Sequence, residues 1–262
     1  MPEGVEITRL VKKMQKFVGQ RILAAKILAG RYTRAHPFGW AGFNHSLPTT
    51  IKSIRKKGKF IYFVLANGFY IYNTLGLTGA WTVDKTPYNK IEFELSDNRL
   101  YLFDIRNFAT IKFVTADQFS LDKKLKSIGP DVNEPAFTIK IFRDIIDGAR
   151  DSLARQWSVA QFLLSQREVS GLGVYMVSEA LYFAGIAPHR KLSSLGPREI
   201  IKLYKGIKKV SAESTAAQTF DLHIDRNISQ LNRYKFRVYK HKDARKYSVD
   251  GRNIYWSADR QS

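Results

Sequence analysis

Lys59-Phe60-Ile61-Tyr62-Phe63-Val64-Leu65-Ala66-Asn67-Gly68-Phe69-Tyr70-Ile71-Tyr72 reads as two strands joined by a tight turn. β-branched and aromatic residues fill both arms, and Asn-Gly supplies the left-handed backbone that a two-residue hairpin needs. A second hairpin follows, Ile91–Leu95 and Leu100–Phe103 joined through Ser96-Asp97-Asn98-Arg99. Successive hairpins over residues 20–115 predict a β-sandwich. Ahead of them, residues 3–18 read as an amphipathic helix with Ile7, Leu10, Val11, Met14, Phe17 and Val18 on one side, closed by Gly19.

Downstream, Gly129-Pro130 and Pro135 break the pattern, so 116–136 reads as a connection. Helices are expected over Phe137–Ala149, Ser152–Ser165, Tyr175–Ala184 and about Pro197–Val210. Tyr234–Tyr239 and Asn253–Trp256 look like the strands of a terminal hairpin, with the basic stretch from Lys240 to Tyr247 between them. The expected fold class is α+β: a helix-led β-sandwich over 1–115, the linker 116–136, a helical domain over 137–230 and a hairpin over 231–262.

The 262 residues are 44% hydrophobic and 13% aromatic, the composition of a folded chain with a sizeable core. Lys and Arg number 43 against 23 Asp and Glu, a formal charge of +20 that points to nucleic acid or an anionic surface. No apolar run approaches the roughly 20 residues of a membrane span, and the acidic start argues against a signal peptide. Cys is absent, and the five His lie scattered at 36, 45, 189, 223 and 241 without ligand spacing. No metal and no cofactor is expected.

The chemistry-bearing residues begin at the amino terminus, Met1-Pro2-Glu3-Gly4-Val5-Glu6. Removal of Met1 exposes the secondary amine of Pro2, and an α-amino group titrates at about 7.7–8.0, leaving a neutral nucleophile near pH 7. Glu3 and Glu6, three apart, fall on one face of the helix start; ordinary capping explains the same residues equally well. Lys59, in Arg55-Lys56-Lys57-Gly58-Lys59-Phe60, is either part of a solvated basic run or a cation fixed at a strand entry. Leu75-Gly76-Leu77-Thr78-Gly79 is a loop with an apolar tip. In Asp104-Ile105-Arg106-Asn107-Phe108 an Arg precedes an aromatic by two, so the pair fits either a wedge that replaces an extruded base or core packing of Phe108. Gln166-Arg167-Glu168-Val169-Ser170-Gly171-Leu172-Gly173-Val174-Tyr175 links two helices through a Gly-x-Gly turn suited to aim backbone N–H groups at a phosphate.

Taken in order, these segments resemble the formamidopyrimidine-DNA glycosylase and endonuclease VIII family of DNA glycosylase/AP lyases. Pro2-Glu3-Gly4-x-Glu6 resembles its amino-terminal signature, Gly58-Lys59 its Arg-Gly-Lys strand motif, Asp104-x-Arg106-x-Phe108 its Asp-Pro-Arg-Arg-Phe motif and Gly129-Pro130 its Leu-Gly-Pro link. Gln166 to Leu181, including Glu179, resembles its helix–two-turn–helix element, and Phe183-x-x-Ile186-x-Pro188 follows as in the family. Three departures stand out. Val174 occupies a position usually held by a phosphate-contacting Asn, and Thr74 stands where the formamidopyrimidine branch has His. The four-Cys zinc finger is missing, although Phe236-x-Val238-Tyr239 and Arg252-Asn253-Ile254-Tyr255-Trp256 resemble its strands, as in the zincless finger of some eukaryotic and viral members. Tyr239, Tyr255 and Trp256 are expected to hold that hairpin by packing.

The resemblance implies a monomeric two-domain clamp that runs DNA through a basic cleft. It acts in the nucleus or another DNA-containing compartment, as a bifunctional enzyme of base excision repair removing oxidised bases. Pro2 would be the nucleophile, Glu3 the proton shuttle and Lys59 an assisting cation, with Glu6 and Glu179 orienting the terminus. Leu77, Arg106 and Phe108 would fill the void left by a flipped nucleotide; Gly171, Gly173 and Arg252 would contact phosphates. A non-catalytic damaged-DNA binder is the alternative.

Overall fold

The computed structural model describes residues 2–217, 222–223 and 234–262. They group into two compact units: 2, 6–126 and 222–223 in the first, and 3–5, 127–217 and 234–262 in the second.

The first unit holds most of α1 (Gly4–Met14), which continues as a 3-10 turn Gln15–Phe17 and ends at Gly19 in left-handed backbone. Then come β1 (Arg21–Ile27), α2 (Trp40–His45), β2 (Thr49–Lys57), β3 (Phe60–Leu65), β4 (Phe69–Thr74), β5 (Gly79–Thr82), β6 (Asn89–Leu95), β7 (Arg99–Asp104), β8 (Thr110–Thr115) and α3 (Leu121–Lys126). The eight strands pair in the order β5-β7-β6-β1-β2-β3-β4-β8. β1 meets β2 only at Arg21↔Thr50 and Ile22↔Thr49. That short seam lets the sheet fold into two four-stranded halves, whose inner faces meet through Phe63 on Trp81 (5.3 Å between ring centroids) and Phe93 on Phe113 (6.3 Å). The β-sandwich led by a helix is therefore present. Asn67-Gly68 makes the β3–β4 turn, with Gly68 at φ +86°. Gly58-Lys59 makes the β2–β3 turn between the paired residues Lys57 and Phe60.

The second unit contains α4 (Ile139–Arg150), α5 (Val159–Leu164), α6 (Val174–Ala184), α7 (Pro197–Ala217) and the hairpin β9 (Arg245–Val249)–β10 (Arg252–Trp256). The single helix expected over Ser152–Ser165 is instead a 3-10 turn, Leu153–Gln156, followed by α5. Ser158 starts α5 with a capping box: its hydroxyl accepts from Gln161 N, and Gln161 Oε1 accepts from Ser158 N. α7 extends past the expected end at Val210 to Ala217. The residues read as linker include α3, and Gly129-Pro130 packs on the turn before α6, where a Cβ on Gly129 would stand 2.4 Å from Glu168 O.

The terminal hairpin also differs from the expectation. Tyr234–Tyr239 is not a strand; Arg245–Val249 is, so Arg245-Lys246-Tyr247 of the basic stretch pairs with β10. The turn is Asp250-Gly251, both left-handed at φ +48° and +72°, the geometry that Asp-Gly favours between paired strands. Val249 and Ile254 bury in the helical core, Tyr255 N donates to Ser178 Oγ on α6 (3.0 Å), and Tyr239 packs edge-on to Tyr255 (5.2 Å). Trp256 packs on His189 (5.1 Å) rather than joining those tyrosines. Among the described residues no group of three or more His, Cys, Asp or Glu is placed to hold a metal, and no helix is long and apolar enough to cross a membrane.

Packing in place of metal makes a prediction. Ile254→Ala should remove about 2–5 kcal/mol of stability in a urea titration, while excess chelator should leave Tm unchanged. A chelator-sensitive Tm would overturn the assignment.

Candidate functional site

Glu3 is buried, and its carboxylate accepts three backbone N–H groups at the start of α6: Gly173 (2.8 Å), Tyr175 (3.0 Å) and Met176 (3.2 Å). These belong to the first turn, whose N–H groups lack intrahelical acceptors and lie at the positive end of the helix dipole. The approach needs glycine on both sides. Gly4 N donates to Gly171 O at 2.7 Å, and a Cβ on Gly4 would stand 2.3 Å from Asn133 Nδ2 and 2.8 Å from Gly171 Cα. Gly171 itself sits at φ +94°. The Gly-x-Gly turn does aim N–H groups at an anion, as its sequence suggests. The anion that Gly173 N meets is the chain's own Glu3, while Gly171 N donates to Gln166 Oε1 at 3.1 Å.

Asn133 has no role in the sequence reading. Asp131 Oδ1 accepts from its backbone N and its Nδ2 (both 3.0 Å), and Ser211 Oγ donates to its Oδ1 at 2.7 Å. Its hydrogen bonds tie the strap after Gly129-Pro130 to α7, and only an Asp-x-Asn pattern could have marked it.

Glu179, in the middle of α6, is fully buried. Its carboxylate accepts the backbone N–H groups of Arg237 (3.0 and 3.1 Å), Val238 (2.9 Å) and Tyr239 (2.8 Å), and Tyr234 Oη lies at 3.5 Å. Burial, and then the Glu179 charge, push the Tyr234 phenol up. Glu179 therefore anchors the segment leading into the hairpin. Tyr239 is pushed up to about 12, by burial first and next by the charge of Glu3, so it is a neutral hydroxyl at working pH.

In the first unit, Pro2 is half-buried, Glu6 buried and Lys59 half-buried in its turn. Leu77, Arg106 and Phe108 come together on two touching loops. A Cβ on Gly76 would stand 2.8 Å from the Phe108 backbone. Buried Asp104 organises them, accepting from Thr78 Oγ1, Arg106 N (3.1 Å) and Ala109 N (2.7 Å). Asn107 turns the chain at φ +59°, and Arg31 Nη2 and Tyr32 Oη donate to Ala109 O on the far side of the loop. Phe108 is thus 46% exposed instead of packed in the core, with the Arg106 guanidinium 4.8 Å from its ring centre. Asp104, Thr78, Arg31 and Tyr32 act through position, and the sequence reading assigns them no role.

Arg252 opens β10, half-buried, with its guanidinium 3.3 Å from Asp250. Val174 is the first residue of α6, and Thr74 shares a hydroxyl contact with Thr110 at 2.6 Å.

A helix-led β-sandwich, a helix–two-turn–helix unit and a carboxylate seated on the second helix of that element define the class. Residues 1–111 match the formamidopyrimidine-DNA glycosylase N-terminal domain, and 128–223 match the formamidopyrimidine-DNA glycosylase H2TH domain. The chain belongs to the formamidopyrimidine-DNA glycosylase and endonuclease VIII family. The formamidopyrimidine-DNA glycosylase of Thermus thermophilus is 30% identical over 165 residues, 63% of this chain and 59% of that protein. The Acidiphilium cryptum protein of the same name is 27% identical over 221 residues, 83% and 78%. Among solved structures, wild-type Lactococcus lactis Fpg (MutM) in complex with DNA containing an oxidised pyrimidine superposes over the full length of both chains, with a TM-score of 0.82 at 22% identity. MutM (Fpg) from Thermus thermophilus gives 0.78 at 22% over 99% and 98%. At these identities the structural likeness shows the fold.

Asp104→Asn turns one acceptor into an NH2 facing backbone donors, and should lower stability by about 1–3 kcal/mol in urea. Unchanged stability would show that the carboxylate does not hold the Arg106–Phe108 loop.

Proposed function

We propose that this protein is a bifunctional DNA glycosylase/AP lyase acting on oxidised bases in base excision repair. The observation that carries the proposal is the seat of Glu3: a carboxylate, one peptide bond from the Pro2 amine, held by three backbone N–H groups. A binder of DNA has no use for an acid fixed beside a terminal secondary amine.

In this reading the neutral Pro2 nitrogen attacks C1′ of the damaged nucleoside. The C1′–N glycosidic bond breaks, and the base leaves with the electron pair and a proton. Glu3 moves a proton to O4′ as the sugar ring opens, which leaves an iminium between Pro2 and C1′. Loss of the C2′ proton expels the 3′ phosphate (β-elimination), and a second elimination expels the 5′ phosphate. Lys59 assists by charge or proton donation at the sugar or phosphate, and Glu6 supports the terminus. Leu77, Arg106 and Phe108 occupy the space left by the flipped nucleotide, supported by their shared position and the exposure of Phe108. Arg252 contacts a phosphate. Glu179 acts on the hairpin's approach, and so on Arg252. A reaction on DNA places the protein in a DNA-containing compartment; the relatives named above are bacterial and lend no support to a nuclear one.

Borohydride trapping on an oligonucleotide with one abasic site tests the chemistry, because only an iminium is captured. Wild type and Pro2→Gly should both trap, the variant less, while Met1 retention or N-terminal acetylation should abolish the adduct. An acetylated protein that still traps would remove Pro2 from the mechanism, and a wild type that never traps would leave the binder.

If about 5 phosphates are neutralised on undamaged DNA, log K should fall against log salt with a slope of roughly −4 to −5. A slope near zero would sink electrostatic docking.

Arg252→Ala removes a charge-assisted hydrogen bond and should weaken DNA binding roughly tenfold to a hundredfold with folding intact. Lys246, on β9 with its ammonium 6.0 Å from the Tyr255 ring, should matter much less. Equal losses from both changes would mean a diffuse positive surface.

A further inference from the structure

The half-sheet β2–β3–β4–β8 carries aromatic side chains that neither hydrophobic core uses. Ile54, Ile61, Phe63, Ile71, Ile111 and Phe113 face the core. Alternation turns Phe60, Tyr62, Tyr72 and Lys112 to the other face, where the register sets Tyr62, Tyr72 and Lys112 side by side across β3, β4 and β8. A continuous run of contacts links them to the surface. Lys124 Nζ lies 5.3 Å from the Phe60 ring, Phe60 packs edge-on to Tyr72 at 5.1 Å, and Tyr72 neighbours Lys112 across the strands. Lys112 Nζ lies 5.9 Å from the Phe119 ring, and Phe119 stands edge-on to Phe38 at 5.3 Å. Phe119 and Phe38 are 41% and 48% exposed.

Two details suit this face to a ligand. The Tyr72 hydroxyl is buried with no hydrogen-bond partner among the described residues. Burial, then Tyr70 and Asp122, push it up to about 12, so it remains a proton donor. Beside it, α3 buries none of its own residues, and is held by Lys57 Nζ donating to Leu125 O (2.8 Å) and by Lys124 over Phe60. Phe60, Tyr62 and Tyr72 are themselves buried, so the exposed members of the run are Phe38, Phe119, Lys112 and Lys124.

We propose that this face is a second nucleic-acid surface, taking single-stranded DNA. Bases stack on Phe38 and Phe119, and phosphates meet Lys112 and Lys124. Flat aromatic faces beside cations bind single strands of any sequence, because every base has a π-face and every linkage a charge. An acidic peptide with apolar side chains would meet the same groups; the chain's charge of +20 and its DNA-directed family favour nucleic acid. None of these residues belongs to the lesion machinery, so the surface stands or falls apart from the Pro2 chemistry.

The test is fluorescence anisotropy of a labelled oligothymidylate of about twelve nucleotides, at about 0.3 M salt to suppress purely ionic binding. The protein is first saturated with unlabelled duplex carrying a tetrahydrofuran abasic analogue. Wild type should still bind the single strand. The double variant Phe38→Ser/Phe119→Ser should bind it at least about tenfold more weakly, with Tm and duplex trapping unchanged. No binding by saturated wild type, or equal binding by the variant, would overturn the surface. Displacement of the oligothymidylate by a Phe-containing oligoglutamate peptide at lower concentration than by unlabelled oligothymidylate would overturn the nucleic-acid assignment.

Discussion

A carboxylate taken out of water needs donors, and a helix start taken out of water needs acceptors. Glu3 and the first turn of α6 meet both needs at one place. The contact dictates its surroundings: Gly4 and Gly171 without side chains, Gly171 in left-handed backbone, Gly173 just before the helix. Three charge-assisted bonds of this kind are each worth about 1.5–3 kcal/mol, and loss of either partner would strand the other in the interior. An amino terminus usually frays; here residue 3 is fixed by three backbone N–H groups.

The same helix carries a second buried acid, with a different task. Glu179 gathers the N–H groups of residues 237–239, and Ser178, the residue before it, accepts from Tyr255 N. A zinc finger orders its backbone by binding side chains to an ion. In this chain an anion orders the approach by binding backbone directly, and Val249 and Ile254 hold the hairpin itself by burial. α6 can do this because Glu179 sits among buried neighbours on nearly every side of the helix, where the carboxylate has only the incoming segment to satisfy it.

How much of this is legible in the sequence follows from the range of the interactions. Hairpins with period-two patterns and an Asn-Gly turn declare themselves, because strand, turn and register are all local. The Ser158–Gln161 capping box and the Asp250-Gly251 turn are equally local, yet the apolar and aromatic residues beside them dominate the pattern and hide them. The Gly-x-Gly turn shows that an anion is held, but nothing in its pattern separates a phosphate from a carboxylate 170 residues away. Glu179 cannot be matched to its partners from sequence, because these are backbone N–H groups, which any residue carries, about 60 positions away. Phe108 reads as core or wedge; the choice depends on Asp104, whose role appears only when Thr78 and Ala109 are beside it.

Asp104 and Glu179 also bear on the charge of the whole chain. Both are fully buried, and both are satisfied by backbone N–H groups with a hydroxyl or phenol, not by a Lys or Arg side chain. Burying an ion pair removes two charges from water for an uncertain return, and would withdraw a cation from the surface. Backbone donors carry no net charge, so these acids can organise a loop and a hairpin without neutralising any of the 43 basic residues. Neither acid draws a basic side chain into the interior to satisfy it.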